Sequence, residues 1–551
     1  MAANTDHPVD FGAGMLMAPV PLGDWLVILP IIITLVGGAV ILMMRLRPKY
    51  HGVMACGFLS LLLLADLLLL LRVMKNGPIS MTMGGWLPPF GISFTVDAFG
   101  ALMATISAIV ALAVCVYSLI DIPPTGRRFG FYPFLLVMMT GVSGSFLTGD
   151  LFNLYVWFEV LLISSFGLIV LGGERDQIDG ALKYAVLNLT ATTLFLIAVG
   201  LLYGAVGTLN MADIATIVRA MPKGEAPLAS IGALFFFAFC MKAAAFPVNF
   251  WLPASYHTPR IVVSAVFAGL LTKVGVYALI RTMLLLLPDT LGELGGVPLL
   301  IAVLTMLLGA LGALAQNDVR RLFGYLVISG IGSMLAGLAI GTESSLTGAI
   351  LYAVHSIIVM TALYLVFGIL MRMSGGRSTL SELGGGYTAS GWLSILFLVL
   401  AFAVSGLPPF SGFWPKLVLV EASLNEAQGW VTFAILLTGF LTTIAMGRVW
   451  AHAFWRGGPI GTEDGRDAAP LNQLAESVVK KAFLPVTALV VLVCIIGLFP
   501  SPLYSIARTG AASLLKPDRY VESVFGAARQ QMLERALRPA TEHEDQQEGA
   551  H

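Results

Sequence analysis

Apolar runs of about 18 residues or more recur along almost the whole chain, and this constrains its fold more than any other feature. A backbone in lipid must satisfy its own hydrogen bonds, so only helices and closed barrels span a bilayer. The runs are long and do not alternate apolar with polar, which selects helices. The 551-residue chain is 58% hydrophobic and only 11% charged, a composition no soluble domain carries. Its spans predict an all-α polytopic membrane protein with about fourteen transmembrane helices. The bilayer is thus the first partner. Lys+Arg and Asp+Glu are both 31, so no basic footprint suggests a nucleic-acid partner. The four cysteines, Cys56, Cys115, Cys240 and Cys494, are isolated, with neither metal-ligand nor disulfide spacing. The first twenty residues lack a basic segment followed by an apolar one, so no cleavable signal peptide is expected.

Loop charges alternate in density. One set holds Arg45, Arg47, Lys49, Arg127, Arg128, Arg175, Arg260, Arg320, Arg321, Arg372, Arg377 and others. Leaving Lys416 aside, the opposite set holds only Arg72, Lys75, Arg219, Lys223 and Arg281 before the last span. Positive charge favours the cytoplasmic side, so both termini are predicted outside the cytoplasm, with the chain in the cell inner membrane.

Against this background a few ionisable residues stand at membrane depth. Glu159 lies in DLFNLYVWFEVLLISSFGLIV, Lys242 in ALFFFAFCMKAAAFPVNFWL and Lys273 in VFAGLLTKVGVYALI. Lys416 follows AFAVSGLPPFSGFWP, and His257 and His355 are at similar depth. A charge at the bilayer centre costs roughly 2.5 to 3.5 kcal/mol on insertion scales, and chains that keep several use them for ion pathways or proton relays. The competing reading is a set of internal salt bridges that only fasten helices. Two of the helices also carry proline beside a lysine: Lys242 with Pro247, and Pro408 and Pro409 with Lys416. Proline breaks the helix, and the freed carbonyls need protein or water around them. The two segments recur five spans apart. Five is odd, so the two units would run in opposite directions, the mark of an inverted repeat.

MKAAAFPVNFWLPASYHTPRIVVSAVFAGLLTKVGVYALIR resembles the central signature of the antiporter-like subunits. These belong to respiratory complex I, membrane hydrogenases and Mrp-type cation/proton antiporters. GGWLPPFGISFTVDAFGALM, DLFNLYVWFEVL, NDVRRLFGYLVISGIG and SGLPPFSGFWPK resemble further blocks, over roughly residues 80 to 425. The resemblance implies fourteen helices, two inverted five-helix repeats with helices 7 and 12 broken, and a hydrated polar axis running laterally in the membrane. The expected division is 1–130 for helices 1–3, 131–290 for the first repeat and 291–455 for the second. A loop and helix 14 follow over 456–514, then an extramembrane tail over 515–551 with a short amphipathic helix.

Carried over by motif, Glu159 and Lys242 resemble the family's helix 5 and helix 7 pair, Lys273 its helix 8 lysine and Lys416 its helix 12 terminal group. His355 resembles its helix 11 histidine. Family members often have a lysine four residues later; here that residue is Val359. Lys183 matches a further family position, with snorkelling at a helix end as the alternative. His257 is either a relay or a loop histidine satisfied by backbone. Asp150 and Asn153 are the one local cluster to consider for sodium, against the plainer reading of Asp150 as a helix cap. Length and the lysine at helix 12 favour the D-type branch of Mrp-type Na+/H+ antiporter subunits. The resemblance implies other membrane subunits as partners, with H+ and Na+ as transported ions. No nucleotide loop, cysteine cluster or metal-ligand cluster is found, so no cofactor and no covalent chemistry are expected. Two alternatives remain: a redox-driven pump subunit of complex I or a hydrogenase, and a solute transporter acting alone.

Overall fold

The computed structural model describes residues 14–16, 20–222, 224–457, 471–472 and 474–526. The chain opens with α1 (Leu29–Met43), α2 (Pro48–Asn76), a two-stranded antiparallel hairpin, β1 (Ile79–Thr82) and β2 (Ser93–Val96), and α3 (Ala98–Asp121). Five main helices follow: α4 (Phe131–Leu147), α5 (Leu151–Ile169), α6 (Arg175–Val206), α7 in two pieces, α7a (Leu228–Ala243) and α7b (Trp251–Tyr256), and α8 (Ile261–Ile280), with a shorter helix, Met211–Ala220, between α6 and α7a. The next five are α9 (Val297–Ala315), α10 (Val319–Ile340), α11 (Glu343–Met373), α12a (Gly391–Ser405) with α12b (Phe413–Asn425), and α13 (Gly429–Trp450). The described chain closes with α14 (Glu476–Leu498), α15 (Ser501–Leu515) and a last helical segment over 518–526. Among the described residues ten helices are long and apolar enough to cross a membrane. Four shorter apolar ones, α1, α4, α7a and α12a, accompany them. The fold is the all-α polytopic architecture the hydropathy predicts.

Burial sorts the helices into a centre and a rim. Every residue of α8 is buried, as are nearly all of α11, whereas α2 and α6 turn long leucine, isoleucine and valine rows outward. Small residues set the close approaches in lipid, where packing rather than water exclusion drives association. A Cβ on Gly275 of α8 would stand 2.9 Å from the backbone nitrogen of Ala243, at the end of α7a. The first helix break is thereby held directly against α8.

The two breaks are built alike. α7a ends on Ala244 in the left-handed region (φ 61°), and α12a on Gly406 (φ 86°). In each case the next N–H turns back five residues, Ala245 to the Cys240 carbonyl at 2.9 Å and Leu407 to the Phe402 carbonyl at 3.0 Å. Both closures satisfy carbonyls that the proline behind them would strand. A second likeness joins the starts of α5 and α10. Asp150 caps α5 and Asp318 caps α10, each through its Oδ1 to the N–H three residues on. Each cap segment also pairs with the loop after the following helix, Asp150 with Asn210 and Asp318 with Thr379. A third likeness is a π-helical turn that ends both α8 (Arg281–Leu286) and α13 (Ala451–Trp455).

The chain differs from expectation at its C-terminal end. A separate helix, α15, begins at Ser501 and packs on α3 and α11, so the protein body extends into the stretch expected to hold the end of a span and a tail. Tyr520 and Val524 are buried behind it. Of the expected amphipathic helix, Ala528, Met532 and Ala536 lie outside the described residues. Most of the loop expected over 456–480 also lies outside them.

Candidate ion-transfer axis

Lys242 sits in the last turn of α7a, 5% exposed. Its Nζ donates to Thr192 Oγ1 of α6 at 2.8 Å and stands 4.7 Å from the centre of the Phe158 ring of α5. Trp251 of α7b folds back, its indole N–H donating to the Met241 carbonyl at 3.1 Å. Glu159, next to Phe158, is within electrostatic reach of Lys242. No ion pair joins them among the described residues, and the buried Glu159 Oε1 has no hydrogen-bond partner.

Lys273 is fully buried in α8, and its Nζ donates to the Ala268 carbonyl of its own helix at 2.6 Å. His355, on α11, pairs its Nδ1 with Ser411 Oγ at 2.9 Å. Ser411 belongs to the second break. Gly412 beside it lies so close that a Cβ there would fall 2.8 Å from His355 Cε1. The imidazole is within electrostatic reach of both Lys273 and Lys416. Lys416, in the first turn of α12b, donates to the carbonyls of Ser405 at 2.7 Å and Val404 at 3.3 Å. These are the last carbonyls of α12a, the negative end of that helix. Val359, one turn past His355, is buried and apolar. Electrostatic reach thus joins Glu159 to Lys242, and His355 to Lys273 and Lys416.

The other candidates have other partners. His257 follows α7b. Arg321 donates to its Nε2 at 2.9 Å, so the ring proton is on Nδ1, which donates to the Pro253 carbonyl at 2.8 Å. Burial, and then the Arg321 guanidinium, hold its pKa below the usual histidine value. Lys183 is half exposed and paired to Asp179 at 2.5 Å one turn away, a contact of small energetic worth. Lys183, His257, Asp176, Asp179, Arg321 and Tyr325 share a polar cavity of about 420 Å³. Asp150 and Asn153 are engaged as a cap, with the Asn153 amide donating to Thr148 Oγ1 at 3.0 Å. No group of three or more His, Cys, Asp or Glu that could hold a metal occurs among the described residues.

Sequence reasoning missed three further sites of ionisable residues, two of them buried. Asp97 caps α3 and forms a buried ion pair with Arg281 of the π-turn after α8. Ser513 of α15 donates to the other Asp97 oxygen at 2.9 Å. Asp66 of α2 is wholly buried with both carboxyl oxygens unpartnered, although an acid inside LLLLADLLLLL is a visible signal. Asp121, at the end of α3, faces a crevice of about 580 Å³ with Arg260, Arg320 and Arg372.

Residues 148–442, which hold every group on the axis, match the family described as NADH:quinone oxidoreductase/Mrp antiporter, transmembrane region. The chain belongs to this family. Among its relatives, the D subunit of the Na(+)/H(+) antiporter of Alkalihalophilus pseudofirmus is 38% identical over 503 residues, covering 91% of this chain and 99% of the relative. The Bacillus subtilis protein of the same name is 34% identical over the same shares. A chain in the structure of the Mrp complex from Dietzia sp. DQ12-45-1b superposes with a TM-score of 0.83 at 28% identity, over 92% of this chain and 100% of that one. A chain of respiratory complex I from Thermus thermophilus has the same fold at 24% identity, with a TM-score of 0.75 over 89% of this chain and 99% of that one. In this antiporter-family protein the matched region opens at the cap of α5 and closes inside α13.

Proposed function

We propose that this subunit carries protons along Glu159, Lys242, Lys273, His355 and Lys416, within a multisubunit Na+/H+ antiporter of the bacterial plasma membrane. The observation that carries this reading is that Lys242, Lys273 and His355 are buried in apolar helices, with Glu159 and Lys416 partly buried near the two helix breaks. Each of these lysines is held by neutral oxygens rather than by a counter-charge. The compact ammonium on a flexible stem suits a carrier better than arginine. A carboxylate beside it favours its charged form, and separation in a poorly hydrated site favours release. Separating Glu159 from Lys242 therefore drives the proton toward Lys273, and from there His355 and Lys416 pass it on. One proton crossing 100 mV supplies about 2.3 kcal/mol, which neighbouring subunits would use to move sodium outward. That coupling is a free energy between sites and is reciprocal. The work is transport and not covalent catalysis. His257 and Lys183 belong to the polar cavity at one end, as an entrance to the path.

The likenesses of breaks, caps and π-turns support two five-helix repeats, 131–290 and 291–455, in opposite orientation. With both termini outside the cytoplasm, the 420 Å³ cavity opens to the cytoplasm. The test is Na+/H+ exchange in inverted vesicles from antiporter-deficient cells carrying the whole gene cluster, comparing wild type with Lys242→Ala and Glu159→Ala. Loss of exchange in both, with the complex still assembled, is expected. Unchanged exchange in both returns the pair to a fastening role. Absence of any sodium response in the wild type favours a redox-driven pump.

A further inference from the structure

Lys242 and Glu159 lie within electrostatic reach of each other with no ion pair between them among the described residues, and the lysine is engaged by another group. Thr192 Oγ1 donates its only proton to the Asn188 carbonyl of its own helix at 2.8 Å. The hydroxyl is thereby committed as an acceptor toward Lys242. The Phe158 ring lies on another side of the same ammonium, an arrangement that favours a cation. Thr192 is 3% exposed, so water does not compete freely for the contact. On the other side, Glu159 Oε1 is buried and unpartnered, a costly state that an arriving ammonium would relieve.

We propose that Thr192 is a positioning residue, the neutral seat from which Lys242 alternates with Glu159. This rests on the reading of Glu159 and Lys242 as the first step of the proton path. In the seat observed, the lysine is held by a hydroxyl and a ring face and the carboxylate stands open. In the other, the ammonium leaves Thr192 for the Glu159 oxygen. A neutral seat matters because a two-position carrier needs both positions populated. With Glu159 as its sole partner, Lys242 would stay in the ion pair.

The experiment uses the assembled complex in inverted vesicles with Thr192→Val and Thr192→Ser, together with a side-chain-resolving structure of the Thr192→Val complex. Valine keeps the shape and removes the acceptor; serine keeps the acceptor. The expected result is about a tenfold fall in exchange for Thr192→Val, the scale of one hydrogen bond to a charged group. Thr192→Ser should stay within about twofold of wild type. Lys242 Nζ in the valine variant should lie within ion-pair distance of Glu159. Wild-type exchange in Thr192→Val overturns the proposal, as does a serine variant as poor as the valine one, or a Lys242 that stays beside residue 192 in the valine structure. If Lys242→Ala itself exchanges normally, the underlying path fails along with the seat. If Lys242→Ala abolishes exchange while Thr192→Val does not change it, the seat alone fails.

Discussion

At the scale of single residues, the buried charges fall into two kinds by what satisfies them. Lys242, Lys273 and Lys416 each donate to neutral oxygens of a hydroxyl or of backbone carbonyls. Arg281 instead meets the carboxylate of Asp97, with Ser513 on the second oxygen and the rings of Phe99, Tyr277 and Tyr520 around the guanidinium. Neutral partners leave a charge free to change hands; an opposite charge with saturated hydrogen bonds fixes it. Breaking a buried pair by removing one partner costs about 3 to 5 kcal/mol, because the other charge is left uncompensated. Asp97→Asn should therefore lower the thermal unfolding midpoint of the purified complex sharply. Asp97→Asn combined with Arg281→Met should recover most of the loss, and exchange below the transition should survive in the double variant. An Asp97→Asn complex as stable as wild type would show that the pair does not hold the fold. Both residues are visible in the sequence, Asp97 within SFTVDAFGALM and Arg281 at the end of a span, but 184 positions separate them. No pattern in the chain pairs them.

At the scale of elements, the breaks in α7 and α12 are the features beside which Lys242 and Lys416 stand. Proline makes both visible, since a span containing FPVNFWLP or LPPFSGFWP cannot run on as one helix. The local closure is the same in both, yet Ala244 stands where the second break has Gly406. The reason is a neighbour. A Cβ on Gly406 would fall 2.5 Å from Lys416 Cδ and would displace the lysine stem that reaches the Ser405 carbonyl. Gly406→Ala should therefore reduce exchange and cost about 1 to 2 kcal/mol through the left-handed conformation. Ala244→Gly relieves the left-handed strain but removes a fully buried methyl, so it should keep exchange and change stability by less than about 1 kcal/mol. Vesicle exchange and the unfolding midpoint, measured on the same preparations, check both. Equal exchange in Gly406→Ala and wild type would remove Lys416 from the path. The lysines themselves are placed differently at the two breaks: Lys242 precedes its break and Lys416 follows its own. The sequence displays this offset, but only the backbone closure shows which residues correspond.

At the scale of the whole molecule, the buried centre is α8 and α11, the two helices that carry Lys273 and His355. Around them α15 and the segment that follows lie over the Asp97–Arg281 pair, with Tyr520 against the guanidinium. A cavity of about 850 Å³ opens beside this pair, lined by Lys75, Glu343, Arg508, Lys516, Asp518 and Arg519. Cutting the chain before Ser501 would strip Ser513 and Tyr520 from Asp97 and Arg281. A hydrogen bond to a charged group contributes about 1.5 to 3 kcal/mol, so the truncated protein should assemble into a complex with a clearly lower unfolding midpoint. An unchanged midpoint would mean that α15 is an appendage and not part of the core.

The class of fold, the two breaks and the presence of Glu159, Lys242, Lys273, His355 and Lys416 in apolar helices are legible in the chain read as a line. They follow from hydropathy, from proline chemistry and from the cost of a charge in lipid, each of which acts on residues close in sequence. The partner of each charge is settled in three dimensions instead. Thr192 is 50 positions from Lys242 and Ser411 is 56 from His355. Their meeting depends on helix rotation and depth, which are set by close packing at points such as Gly275 and Gly412. The expected contact between Glu159 and Lys242 is open in this structure for the same reason: α6 presents a hydroxyl within reach of the ammonium, and a sequence does not record which face of a helix its neighbour meets.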